Sequence, residues 1–152
     1  MRKYVKWLLP VALLLWCVFI FHFSLADAEQ SGMESGRVTA FLNTVLADMG
    51  FSFRLSSTFV RKAAHFTEFF ALGLLAFGTA AAFLQKYRLP AAVAFSFAVA
   101  VVDECLQFAS PGRAPGVPDV LLDTAGAACG AALLCLVLFL AQKKKQPIGG
   151  SH

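Results

Sequence analysis

The feature that most restricts how this chain can fold is a set of four apolar runs, at about residues 7–26, 60–84, 89–109 and 119–141. A helix rises about 1.5 Å per residue, so some 20 apolar residues cross a hydrocarbon layer about 30 Å thick. Inside such a layer every backbone amide must find its partner within the protein. Helices and closed barrels are the two ways to do that, and continuous apolar runs of this length read as helices. Hydrophobic residues make up 59% of the chain and charged residues 14%, with a mean hydropathy of +0.70, well beyond an ordinary soluble domain. The expected fold is therefore an all-α polytopic membrane protein, a bundle of four transmembrane helices forming one domain over all 152 residues. No nucleic-acid partner is expected.

Charge placement orients the bundle. Arg2, Lys3 and Lys6 precede the first run, Lys86 and Arg88 join the second to the third, and Lys143, Lys144 and Lys145 follow the fourth. If the N-terminus is cytoplasmic, all of these lie inside with no acidic residue among them. All nine acidic residues then fall outside or at the outer helix ends, beside Arg37, Arg54, Arg61, Lys62 and Arg113. The positive-inside rule predicts a multi-pass protein of the cytoplasmic (inner) membrane with both termini in the cytoplasm. The basic start and the Ala26-Asp27-Ala28 triplet also fit a cleavable signal, but the apolar run exceeds the usual 7–15 residues of a signal core, which favours a retained span.

Between the first two spans, Val38, Phe41, Leu42, Val45, Leu46 and Met49 recur at helical spacing before Gly50. They predict an extracytoplasmic amphipathic helix over about 37–49, with a glycine stop. It holds too few basic residues for a strong lipid-surface anchor, so capping of the bundle is favoured over lying on the membrane surface. Ser56, Ser57 and Thr58 offer N-caps for the second span, and Pro90 is acceptable in the first turn of the third. Pro111-Gly112 suits a type II bend, and Pro115, Gly116 and Pro118 prevent one helix from running through 110–118. Gly126 and Gly130 form a GxxxG spacing that permits close helix contact, within one chain or between copies, so a homo-oligomer stays open. Cys17, Cys105, Cys129 and Cys135 fall within apolar runs without CxxC spacing and read as small buried hydrophobes.

The outer helix ends bring together Arg61, Lys62, His65, Glu68, Asp103, Glu104, Gln107, Arg113, Asp119 and Asp123. Charged groups inside a bilayer are costly and are rarely left without a partner or a task. One reading is structural, with these groups pairing to fix helix register and Asp119 capping the fourth span. Five carboxylates against Arg61, Lys62, Arg113 and one histidine exceed what such a lock needs. Three functional readings follow. Asp103, Glu104 and Asp123 can hold a divalent metal, although a single His without HExxH spacing is a weak zinc signal. His65 and Glu68 can serve as acid and base in catalysis. Arg61, Lys62, Gln107, Arg113 and Asp119 can bind a ligand or a lipid headgroup, the cations taking a phosphate. A transporter is least favoured, since the charges gather at one end and no inverted repeat is apparent.

In order along the chain, Arg61-Lys62-Ala63-Ala64-His65-Phe66-Thr67-Glu68-Phe69, Asp103-Glu104 with Gln107, Gly112-Arg113, Asp119, Asp123, and Gly126 with Gly130 resemble the signature of the VanZ-like family of small bacterial membrane proteins. Phe21-His22-Phe23-Ser24 with Ser31 and Ser35 resembles the family's start, so the likeness covers about residues 21–140. Phe69 stands where the family often has tyrosine, and the turn after Arg113 is unusually proline-rich. The resemblance implies a cell-envelope protein linked to reduced susceptibility to teicoplanin, a glycopeptide with a fatty acyl tail. It also maps His65, Glu68, Asp103, Glu104, Gln107, Arg113, Asp119 and Asp123 onto the family's polar positions. Membrane lipids, and a lipoglycopeptide antibiotic or a lipid-linked envelope precursor, are the expected partners. The alternative is an intramembrane enzyme, metal-assisted or acid/base, acting on a lipid-linked phosphate or ester.

Overall fold

Helix boundaries in this chain are set by capping and turn residues rather than by where the apolar character begins. The computed structural model describes residues 5–25, 28–112 and 116–145. Among them are five helices and no strand: α1 (Val5–Ser24), α2 (Ala28–Asp48), α3 (Ser57–Phe83), α4 (Arg88–Phe108) and α5 (Val117–Lys145). Helices α1, α3, α4 and α5 are long and apolar enough to cross a membrane, as expected. Each starts slightly before its apolar run. For α3 the cause is Ser56, whose side chain accepts from the Phe59 amide at 3.2 Å. For α5 it is Pro118, which fits a first helical turn where its missing N–H costs nothing. At its other end α5 runs on to Lys145, because glutamine and lysine are good helix formers and cations suit a helix C-terminus.

Helix α2 departs further from expectation. It begins at Ala28, well before the residue-37 start read from the apolar spacing, since its first turns are polar but still helical. Ser35, Thr39 and Asn43 lie on the less exposed side, while Val38, Phe41, Val45 and Met49 are exposed. Leu42 and Leu46 are half-buried on the same side as Ser35, Thr39 and Asn43, so the face turned to the bundle is mixed and only part of the apolar stripe is left for lipid. Asn43 fixes the following loop from both sides, with Nδ2 donating to the Leu55 carbonyl at 3.1 Å and Oδ1 accepting from the Leu55 amide at 2.8 Å. Gly50 ends the helix with φ +85°, a value that glycine reaches without steric cost.

Helix α3 is the hub and packs against every other helix. Its closest partner is α5, and the cause is the small residues. A Cβ built on Gly126 would lie 2.5 Å from the Phe66 carbonyl oxygen. One on Gly130 would overlap the Phe70 backbone, and one on Gly73 the Ala127 backbone. The Gly126/Gly130 face is thus used inside the chain. Phe69, Leu72, Ala76, Ala100, Ala127 and Ala131 form the core beside this seam, with Ile20 from α1. Phe69 is 0% exposed and places a purely apolar ring within the core. Cys17 is buried as expected, whereas Cys105 and Cys129 lie exposed on the outer surface of the bundle. Gly112 takes φ +75°, as the bend read from Pro111-Gly112 requires.

Candidate functional site

Alternating helix direction brings the end of α1, the start of α3, the end of α4 and the start of α5 to one end of the bundle. Helix α2 packs alongside on α3. The Lys86–Arg88 connection lies at the opposite end. Asp103, one turn before the end of α4, is 0% exposed. Its Oδ1 accepts from the Ser24 hydroxyl of α1 at 2.5 Å, and its Oδ2 accepts from Gln107 Nε2 at 2.8 Å. Gln107 sits four residues on along the same helix face, which is why it reaches. The Ser110 hydroxyl lies 3.3 Å from the carbonyl oxygens of both Ser24 and Leu106, tying the two helix ends together.

Donor atoms of Asp103, Asp123 and His65 all lie within 4.8 Å of one another. His65 Nδ1 is 4.0 Å from Asp123 Oδ1. Asp123 is 1% exposed, and neither of its oxygens has a hydrogen-bond donor among the described residues. Asp103, Glu104, Asp119 and Glu68 are all near enough to act on it electrostatically.

Glu104 goes elsewhere. Adjacent residues on a helix point about 100° apart, so Glu104 cannot share the direction of Asp103. Its Oε2 accepts from the Gly116 amide at 2.9 Å, which fixes the entry to α5. Of the residues read from sequence as a metal set, Asp103 and Asp123 bring donor atoms together with His65, while Glu104 is engaged by the Gly116 amide.

The expected headgroup-binding residues are divided as well. Lys62 and Asp119 form an ion pair at 2.7 Å, both half-buried with their side chains still in reach of solvent, of the kind that contributes up to about 1 kcal/mol. Gln107 is engaged by Asp103. Arg113 lies outside the described residues. Arg61 is exposed at the edge of a pocket of about 230 Å³ between α1, α2 and α3. His65, Glu68 and Ser24 line the same pocket, as do Ser31, Glu34 and Ser35 from α2, with Phe23, Val38 and Val60 as its apolar wall. Both expected acid/base residues therefore face one opening. The Glu68 backbone carbonyl also accepts from Trp16 Nε1 at 2.9 Å, joining α1 to α3 beneath it.

The candidate set read from sequence lacked Ser24, Ser31, Glu34 and Ser35. Single hydroxyls in a polar stretch carry little chemistry by type, and the signal for the three serines lay in the ordered likeness beginning at Phe21. Comparison with curated proteins gives no match, and comparison with solved structures gives none. The VanZ/LLP1 family model matches residues 9–139, which include every element that builds the site. With that match and four membrane-spanning helices, the chain is a multi-pass membrane protein of the VanZ/LLP1 family.

Proposed function

We propose that this protein binds the polar part of an amphiphile at the extracytoplasmic face of the bacterial inner membrane, and that the binding lowers susceptibility to lipoglycopeptide antibiotics such as teicoplanin. The observation that carries this reading is the pocket between α1, α2 and α3. It sets Arg61, Glu34, Glu68 and several hydroxyls against an apolar wall of Phe23, Val38 and Val60. A molecule with a hydrogen-bonding head that carries an anionic group for Arg61 and donors for Glu34 and Glu68, joined to an acyl tail, meets both requirements at once. The exposed stripe of Val38, Phe41, Val45 and Met49 on α2 lies beside this opening, so the tail of a bound molecule has apolar surface next to it. The lysines and arginines that gather at the other end of the bundle support this orientation.

The test is binding of teicoplanin, and separately of anionic envelope lipids, to the protein in nanodiscs, together with the susceptibility of cells expressing it. Binding is expected, with Arg61→Ala weakening it about tenfold, the size of one lost charge-assisted hydrogen bond. Absence of binding to both ligands, with unchanged susceptibility, rules the reading out.

A second reading, an intramembrane enzyme acting on a lipid-linked phosphate or ester, draws on one observation. His65 lines the pocket and also lies 4.0 Å from the Asp123 carboxylate, a pairing suited to orienting a general base. Under it, His65→Ala and Glu68→Gln abolish turnover of such a substrate while insertion and melting temperature are kept. Loss of folding in both variants would instead make the cluster structural.

A further inference from the structure

We propose that His65, Asp103 and Asp123 form a binding site for one divalent transition-metal cation, of the zinc or manganese kind, at the buried end of the outer-side pocket. Neither reading of the pocket's ligand is needed for it. The donors come from three helices, and their atoms lie within 4.8 Å of one another. One imidazole nitrogen with two carboxylates is a donor set that suits zinc or manganese better than calcium or magnesium, which favour oxygen throughout.

The observation that points to a cation is Asp123. It is 1% exposed, its side chain is turned towards His65 and Asp103, and neither oxygen has a hydrogen-bond donor among the described residues. A buried carboxylate is ordinarily paired, hydrogen-bonded or bound to a metal. The contact with His65 is 4.0 Å, too long for a hydrogen bond. Nearby Asp103, Glu104, Asp119 and Glu68 add negative charge instead of relieving it. A divalent cation between Asp103 and Asp123 resolves that repulsion.

The surroundings are those of a supported site. Ser24 and Gln107 each donate to one oxygen of Asp103, which holds the carboxylate in place. His65 and Asp123 project from α3 and α5 close to where Gly126 meets the Phe66 carbonyl, so the backbones carrying them are locked together. Zinc bonds of about 2.0–2.2 Å require the three donors to draw in by about 1 Å, within reach of side-chain rotation. His65 lines the pocket, so an ion and the water or ligand completing its coordination have a way in.

The experiment uses the full chain purified in detergent, stripped with chelator, loaded with zinc or manganese and desalted. Elemental analysis gives the metal content, and a titration gives the affinity. The parent is expected to retain about one ion per chain and to melt at a higher temperature with the metal than without it. His65→Ala and Asp123→Asn each lose the ion, Ser24→Ala binds it about tenfold more weakly, and Asp119→Asn retains it. A parent that retains no ion and shows no melting shift with either metal overturns the site. Retention of the full ion by His65→Ala overturns it as well. Should Asp123→Asn fail to fold, the parent and His65→Ala still decide, because both outcomes are read without it.

Discussion

Ser24 at the end of α1 donates to Asp103 of α4 at 2.5 Å, a contact between residues 79 apart in sequence, both buried. It joins the first span to the functional end of the bundle through a charge-assisted bond. Ser24→Ala removes the donor and leaves that carboxylate oxygen short of a partner, at a cost of about 1.5–3 kcal/mol. Thermal unfolding in detergent checks this. A melting temperature equal to that of the parent would mean that α1 is held by its apolar contacts and by the Trp16 and Ser110 hydrogen bonds without help from this one.

Replacement of Gly130 or Gly73 tests the α3–α5 seam. An added side chain at either position meets the backbone of the facing helix, Phe70 or Ala127, and backbone cannot move aside as a flexible side chain can. Gly130→Leu and Gly73→Val are expected to leave no monodisperse protein on size-exclusion chromatography. Gly32→Ala is the contrast. A Cβ there meets nothing within 4 Å, and alanine in place of glycine inside a helix stabilises by about 0.5–1 kcal/mol.

These two pairs also mark what could be read before the structure was known. The spans, the Ser56 cap, the Gly50 stop and the close-contact face at Gly126 and Gly130 were legible, because each depends on residues near one another in sequence. Convergence of His65, Asp103 and Asp123 was legible only as a shared end of the bundle. Which carboxylates meet depends on helix rotation, and rotation is set by the Gly73, Gly126 and Gly130 contacts. Sequence adjacency of Asp103 and Glu104 conceals an angle of about 100° between the two, so the spacing alone did not show that Glu104 reaches the Gly116 amide. Which face of α2 turns inward was not legible from its spacing for a related reason. In a membrane protein the apolar stripe of a helix has lipid as well as core available to it, so amphipathicity alone does not say which face is inside.

Orientation rests on charge, and labelling can test it. In a cysteine-free background, cysteines placed at Lys86 and at Glu29 report on opposite ends of the bundle, since Lys86 joins α3 to α4 and Glu29 opens α2. A membrane-impermeant maleimide applied to intact spheroplasts is expected to label position 29 and not position 86, by the positive-inside rule. The reverse pattern would turn the pocket to the cytoplasm and remove it from the reach of an external antibiotic.

Asp103 and Asp123 are both buried, yet with metal removed they are expected to respond to neutralisation with opposite signs. Asp103 is satisfied by Ser24 and Gln107, so Asp103→Leu strands two donors as well as losing an acceptor, and destabilises by about 1–3 kcal/mol or more. Asp123 has no such donors among the described residues and lies among four other carboxylates. Asp123→Asn keeps the shape and removes the charge, so in chelator it is expected to melt above the parent, by the equivalent of about 1–4 kcal/mol. In zinc or manganese the order should invert, because the parent gains the free energy of ion binding and the variant does not. Paired melting curves, with chelator and with metal, give both signs from the same preparations. If Asp123→Asn melted below the parent even in chelator, the Asp123 carboxylate would have to be held by a protein partner, and a cation would not be needed to explain its burial.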